Sequence, residues 1–256
     1  MSGELPIIDP TAKIGKDVTI GPWTVIGPEV EIGDGCKISS HVVIKSHTRI
    51  GENNQIFQFS SVGEDPSDKK YHGEVSWLEI GDNNIIREGV TLHRGTESGG
   101  GITRIGSDNL FMPYTHVAHD CIIGSHVIFS NNAAVSGHVI VEDWAILSGY
   151  AGVYQFLRIG AHSFVGGLTH INMDVPAYVI VKGTPAVPKG INITGLERRG
   201  FSADSIRAIR QAYKIVYRQG LKIDEALQKL ESLANDHEEV RLLIKSIETS
   251  QKGIIR

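Results

Sequence analysis

The 256-residue sequence predicts an all-β solenoid, a coiled prism of short parallel strands, that ends in a small α-helical appendage. Three observations predict it. An aliphatic residue returns at every sixth position over most of the chain, two polar or glycine-rich segments interrupt that period, and the spacing turns helical after about residue 200.

Counting in sixes from Ile8, ten consecutive positions through Val62 hold nine Ile and one Val. With 41% hydrophobic residues in the chain, chance gives such a run roughly once in ten thousand. The frame returns at Ile80, Ile86 and Leu92, then runs from Ile105 to Ile171. A period of six fits neither an amphipathic helix nor a series of hairpins; it fits hexapeptide repeats, in which one aliphatic side chain per hexad enters the axial core. Three hexads close an 18-residue coil, and successive coils pair as parallel strands. Glycine follows the aliphatic residue at positions 15, 21, 27, 33, 51 and 63, where tight turns with positive φ are expected.

The first interruption, GEDPSDKKYHGEVS (63–76), keeps the register but puts Asp68 and Glu74 into aliphatic slots, so a polar excursion is expected near 63–79. The second, HRGTESGGGITR (93–104), shifts the frame by one residue and reads as a flexible extruded loop. Such loops commonly carry function in a solenoid. Prolines in DVPAYVIVKGTPAVPKG mark the exit from the coil. Beyond Ser202 three apolar faces follow at helical spacing: Ile206, Ile209, Tyr213, Val216 and Tyr217; then Ile223, Ala226, Leu227, Leu230 and Leu233; then Val240, Leu243, Ile244 and Ile247. Gly220 is expected to cap the first. These helices are short and must pack on the solenoid end or on a neighbouring subunit. The expected division is a β-helix over 1–190 and a helical domain over 191–256.

Composition narrows the function classes. The net charge is −4, without the basic excess of a nucleic-acid binder. No apolar run approaches the length of a membrane span. The start lacks the pattern of a secretory signal. The two cysteines, Cys36 and Cys121, have no metal-type spacing. A cytoplasmic location is expected.

Coil arithmetic gathers a candidate site. Eighteen residues on from His119 stands Gly137, and eighteen further Gln155; Asp120 stacks in the same way beneath His138. If the glycine loop replaces one hexad step, Leu92 lies under Val117 and brings His93 towards His119. A neutral histidine beside a carboxylate suits general base catalysis near pH 7, and a backbone N–H at a glycine can hold an oxyanion. The competing readings are outward polar positions of the hexads, or a zinc site, for which His116-x-x-His119 is a weak spacing. Glu197-Arg198-Arg199, read as the opening of the helical tail, is a solvated helix start or a site for a diphosphate or an acidic partner.

The segments LHRGT (92–96), GSDNL (106–110), HVAHDCIIG (116–124), NNAAVSGHV (131–139), DVPAYV (174–179) and LERRGFS (196–202) resemble, in this order, the UDP-N-acetylglucosamine O-acyltransferases of lipid A synthesis. The resemblance covers nearly the whole chain. It implies a left-handed parallel β-helix, a homotrimer with active sites between neighbouring prisms, and no cofactor or metal. It implies transfer of the acyl group of a 3-hydroxyacyl acyl carrier protein to the 3-hydroxyl of UDP-N-acetylglucosamine. His119 is then the general base, Asp120 its orienting partner and the Gly137 N–H the oxyanion donor. Asp68, Lys70, His93, His116, His138 and Gln155 match substrate-contacting positions, Asn192, Arg198 and Arg199 match positions near the nucleotide, and Gly167 matches the position that limits acyl-chain depth. Tyr154, Thr194 and Ser67 depart from the family pattern, where histidine, glutamate and glutamine are common, and bear on the sugar nucleotide preferred. Leu168 and Met173 lie near enough to Gly167 to shorten the pocket. Arg198, Arg199 and Lys182 are candidates for docking an acidic carrier. The alternatives are an N-acyltransferase acting on a UDP-amino sugar, a zinc hydro-lyase of the carbonic anhydrase type and a non-enzymatic scaffold.

Overall fold

A computed structural model describes residues 5–256. Its three sheets, of nine, eight and ten strands among the described residues and parallel except for the last strand of the third, form the sides of a left-handed β-helix. Most strands are two residues long, and the second residue of each is the aliphatic one that fills the core. Register follows the 18-residue coil, with Ile26 on Ile44 and Ile44 on Val62 in the first sheet. From Ile26 onward these positions are buried. Ile8 and Ile14 of the first coil remain exposed, because no coil lies below them to cover them.

The hexad glycines serve close approach rather than positive φ, which corrects the sequence expectation. Of positions 15, 21, 27, 33, 51 and 63, only Gly63 has a positive φ (81°). A Cβ on Gly33 would stand 2.6 Å from the Gly51 carbonyl carbon, so it is the stacked coil above that excludes a side chain. The left-handed corners are instead made by the third residue after the aliphatic one, mostly Asp, Asn, His and aromatics such as Asp120, His138, Trp144 and Phe156. Asn, Asp and His tolerate that region best, and stacked aromatic rings at one corner compensate the others. His126, Trp144, His162 and Tyr178 form one such column, with ring centroids 4.0, 6.3 and 5.6 Å apart. Inside the same corner, buried Asn54, Asn84 and Asn109 pass hydrogen bonds from coil to coil, Asn84 N to Asn54 Oδ1 at 2.9 Å and Asn109 N to Asn84 Oδ1 at 3.0 Å.

Both insertions leave between the first sheet and the second. One lies between the strands Ser61–Glu64 and Trp77–Ile80, the other between Thr91–His93 and Ile102–Ile105. The coil still closes, with Val62 pairing with Leu92, and Leu92 with Val117 as the arithmetic required.

The solenoid ends in an antiparallel pair, Val179–Lys182 with Val187–Ile191. Four helices follow: α1 Ile193–Arg198, α2 Ala203–Arg218, α3 Ile223–Ala234 and α4 Val240–Glu248. The sequence reading missed α1, whose apolar content is too small to show a period; Glu197-Arg198-Arg199 therefore closes the first helix rather than opening the tail. Gly220 has φ 66° just beyond α2, as expected of a C-terminal cap. The helices cover the last coil: Ser246 Oγ accepts from Ala177 N, and the Tyr178 hydroxyl donates to Glu239 O. The chain end returns to the solenoid through the Asp174 backbone, which binds Gly253 O and Ile255 N. Among the described residues no helix is long and apolar enough to cross a membrane.

Candidate active site

The corner that bears both insertions also bears His119, and a cleft of about 630 Å³ opens there. Ser67, Asp68, Lys69 and Lys70 of the first insertion form one wall, and Ser98 of the second closes it above. His119, His138, Gln155 and Phe156 form the floor. The 18-residue stacking is realised: His138 N donates to His119 O and Phe156 N to Gly137 O.

His119 Nδ1 lies 2.7 Å from Asp120 Oδ2. Asp120 is 7% exposed. It also accepts from Thr96 N on Oδ1 and from Thr96 Oγ1 on Oδ2, each at 2.7 Å. Burial pushes the Asp120 carboxyl up, but the hydrogen bonds from His119 and Thr96 outweigh it and hold the group below the usual carboxylate range. An ionised carboxylate only accepts, so the proton between the pair sits on Nδ1. In a neutral ring Nε2 then carries the lone pair, and it has no hydrogen-bond partner among the described residues. The imidazole rests on Gly137, where a Cβ would stand 2.5 Å from His119 Cε1. The Gly137 N–H takes part in none of the hydrogen bonds between coils.

Burial lowers three neighbouring histidines. Burial pushes His116 down to about 4, and burial likewise lowers His93 and His138, the last against the pull of Asp120. His116 Nδ1 is bound by Thr91 Oγ1 at 2.7 Å, and its ring meets His93 edge-on at 4.8 Å. His93 Nδ1 is buried with no hydrogen-bond partner among the described residues. His138 stacks on Phe156 at 4.5 Å. His119, Asp120 and His138 are near enough to share a metal ion. Both Asp120 oxygens are already taken up by Thr96 and His119, however, so the set fits a hydrogen-bonded dyad better than a metal ligand set.

The remaining candidates stand at other corners of the same chain. Asn192 is buried: Oδ1 caps α1 by accepting from Gly195 N, and Nδ2 donates to His162 O. Arg199 stacks on Trp144 at 5.1 Å and binds Trp144 O and His162 Nδ1, while Arg198 is exposed at the end of α1. Burial lowers Arg199 somewhat and pushes His162 down to about 4. Gly167 lies exposed beside Gly149 at the third corner, next to Leu168. His170, in a strand of the first sheet, is exposed and lines no wall of the cleft.

The sequence reading overlooked Arg94 and Thr96, because the loop that holds them was read as flexible. It is ordered. Thr96 caps a 3-10 turn over Glu97–Gly99, and a Cβ on Gly99 would stand 2.0 Å from Asp120 Cγ. Only Gly100 and Gly101 have positive φ there. Arg94, 5% exposed, donates to Gly63 O and Ser46 O through one nitrogen and to Asp65 and the Tyr71 hydroxyl through the other, tying the two insertions together. His126 and His162 were also missed, although the same 18-residue step through Trp144 marks them.

Residues 11–46 and 102–137 match the bacterial transferase hexapeptide family, which places this prism, with its histidine–carboxylate pair, among the hexapeptide-repeat transferases. Residues 174–255 match the second domain of UDP-N-acetylglucosamine O-acyltransferase. The chain is 56% identical over 250 residues to the acyl-[acyl-carrier-protein]–UDP-N-acetylglucosamine O-acyltransferase of Ectopseudomonas mendocina, covering 98% of this chain and 97% of that one. The enzyme of the same name from Stutzerimonas stutzeri is equally similar over the same shares. Among solved structures, LpxA of Acinetobacter baumannii superposes with a TM-score of 0.96 at 51% identity, covering 98% of each chain. The UDP-N-acetylglucosamine acyltransferase of Francisella novicida gives 0.96 at 42%, over 98% of this chain and 92% of that one. The chain belongs to the UDP-N-acetylglucosamine O-acyltransferase family.

Proposed function

We propose that this chain transfers the acyl group of a 3-hydroxyacyl acyl carrier protein to the 3-hydroxyl of UDP-N-acetylglucosamine, the first step of lipid A biosynthesis, in the cytoplasm. The observation that carries the reading is the His119–Asp120 pair, at 2.7 Å, on the floor of a cleft walled by Asp68 and Lys70. Its relatives across nearly the whole chain are named acyl-[acyl-carrier-protein]–UDP-N-acetylglucosamine O-acyltransferases, which supports an acyl carrier protein as donor and this sugar nucleotide as acceptor.

In this reading His119 Nε2 takes the proton of the sugar hydroxyl as the oxygen attacks the thioester carbon. Asp120 fixes the tautomer and balances the imidazolium that forms. The Gly137 N–H donates to the tetrahedral oxyanion. When the C–S bond breaks, the proton on Nε2 passes to the leaving thiolate of the carrier, so His119 returns to its neutral form. His93, His116, His138 and Gln155 contact the substrates as hydrogen-bonding groups, and Asp68 and Lys70 meet them from the opposite wall.

The working unit proposed is a homotrimer. Asn192, Arg198, Arg199 and Gly167 lie at corners away from His119 and serve a neighbouring subunit's cleft, the first three towards the nucleotide and Gly167 at the acyl end. Exposed large side chains recur at Gly167's corner, with Trp23, Phe59, Tyr114, Tyr150 and Leu168, and support burial between copies. Residues 1–190 then carry the chemistry, and 191–256 serve nucleotide and carrier binding.

The test is a transfer assay on wild type and His119→Ala, with UDP-N-acetylglucosamine and 3-hydroxyacyl carrier proteins of varied chain length. Loss of turnover by 10²-fold or more in the variant is expected of a general base. Transfer that persists unchanged would remove His119 from that role. The chain-length profile tests Gly167.

A further inference from the structure

We infer that Thr96 is a positioning residue of the dyad, and that the segment 94–99 is built to clamp Asp120 in the orientation that serves His119. The inference rests on the proposed role of His119 as base.

The geometry fixes the direction of each hydrogen bond. Thr96 has one hydroxyl proton. Its oxygen already accepts from Gly99 N at 3.2 Å, and an ionised Asp120 only accepts, so the proton goes to Asp120 Oδ2. The Thr96 N–H holds Oδ1. One residue thus grips both carboxylate oxygens, which leaves the plane of Asp120 no freedom to turn away from His119 Nδ1. Thr103 adds a third restraint, its hydroxyl accepting from Asp120 N at 2.8 Å. The segment is pressed against the carboxylate: Gly99 has no room for a Cβ. A residue 24 positions distant in sequence therefore sets the geometry of the pair.

The clamp also tunes the acceptor. A hydrogen bond donated to a carboxylate spreads its charge and weakens its pull on the imidazole proton. Removing the Thr96 hydroxyl leaves Oδ2 more basic towards Nδ1–H, favours the imidazolium and moves the acid limb of the rate profile to higher pH. The titratable groups facing the pair are His138, whose Nε2 lies 3.6 Å from Asp120 Oδ2, His93 on the coil below, His116 on the same coil as His119, and Asp68, Lys69 and Lys70 on the opposite wall of the cleft.

The experiment compares wild type, Thr96→Val and Thr96→Ser in the transfer assay, recording kcat, KM and the pH dependence of kcat/KM. Thr96→Val is expected to lower kcat by roughly 10- to 100-fold, with KM little changed and the acid limb displaced upward. Thr96→Ser keeps both bonds and is expected to restore kcat and the limb to near wild-type values. A role confined to capping the turn at 97–99 would change melting temperature without moving the limb. Wild-type kcat with an unmoved limb in Thr96→Val overturns the inference, as does a Ser variant as impaired as Val. If Thr96→Val does not fold, Thr96→Ser and Thr96→Ala are compared by the proton resonance of His119 Nδ1–H, which moves in Ala alone if the clamp is real. Absence of transfer by the wild type would instead defeat the proposed function, so the two failures are separable.

Discussion

The His119 imidazole rests on the face of Gly137, so closely that a Cβ at residue 137 would stand 2.5 Å from His119 Cε1 and 2.7 Å from Nε2. The contact joins two coils that the fold stacks 18 residues apart, and it makes the smallest residue part of the geometry of the proposed base.

Gly137→Ala is therefore expected to displace His119 from Asp120. Gly137 does not need positive φ, so the backbone accepts alanine and the fold persists. Activity is expected to drop about 10²-fold, the scale on which small displacements act on catalytic groups, with only a modest change in melting temperature. Parallel kinetics and thermal melts would check this, and an alanine variant of wild-type activity would contradict the close contact.

Stability is expected to fall as pH drops from about 6.5 towards 4. His116 and His162 are each pushed down to about 4 in the fold from an ordinary 6.5. In that window the unfolded chain takes up protons that the folded chain refuses, so the stability present above pH 6.5 is lost on acidification. Each ring contributes no more than about 3 kcal/mol, less for its partial exposure. Melting curves between pH 7.5 and 4.5 would show the slope, and His116→Gln would flatten it.

Arg94→Lys keeps a charge but loses the planar fork that spans two carbonyls on one side and Asp65 with Tyr71 on the other. The insertion holding Asp68 and Lys70 is expected to loosen. KM for the sugar nucleotide should rise about tenfold, as for one lost charge-assisted bond. Limited proteolysis should cut within 65–76 in the variant before it does so in wild type.

Asn192→Ala removes the cap of α1 and the bond to His162 O. The cost expected is about 1–2 kcal/mol, read as a lower denaturation midpoint. A midpoint equal to that of wild type would show that neither bond supports the junction of solenoid and helices.

Much of the site was legible because the solenoid converts sequence spacing into spatial stacking. His119, Gly137 and Gln155 share a column, and so do Asp120, His138 and Phe156, at a fixed step of 18. The same step marks His126, Trp144 and His162, which went unread. Where the chain leaves the coil the rule fails. Arg94 and Thr96 sit in a segment whose three glycines suggested flexibility, yet Gly99 is there because Asp120 leaves no room for a side chain. Helix α1 was hidden for a related reason: six residues anchored by Asn192 carry no period to read.

Periodicity alone determined the prism, the aliphatic core and the stacking of the histidine columns, since each follows from a local repeat that the backbone hydrogen bonds between coils enforce. Only the tertiary structure decided which way the corners turn, why the hexad glycines are glycine and how the two insertions meet. Those depend on contacts between residues that no fixed spacing relates: Thr96 with Asp120, Arg94 with Asp65, and Arg199 with Trp144. A repeat specifies distances along its own axis, and it carries no information about a loop that leaves that axis and folds back.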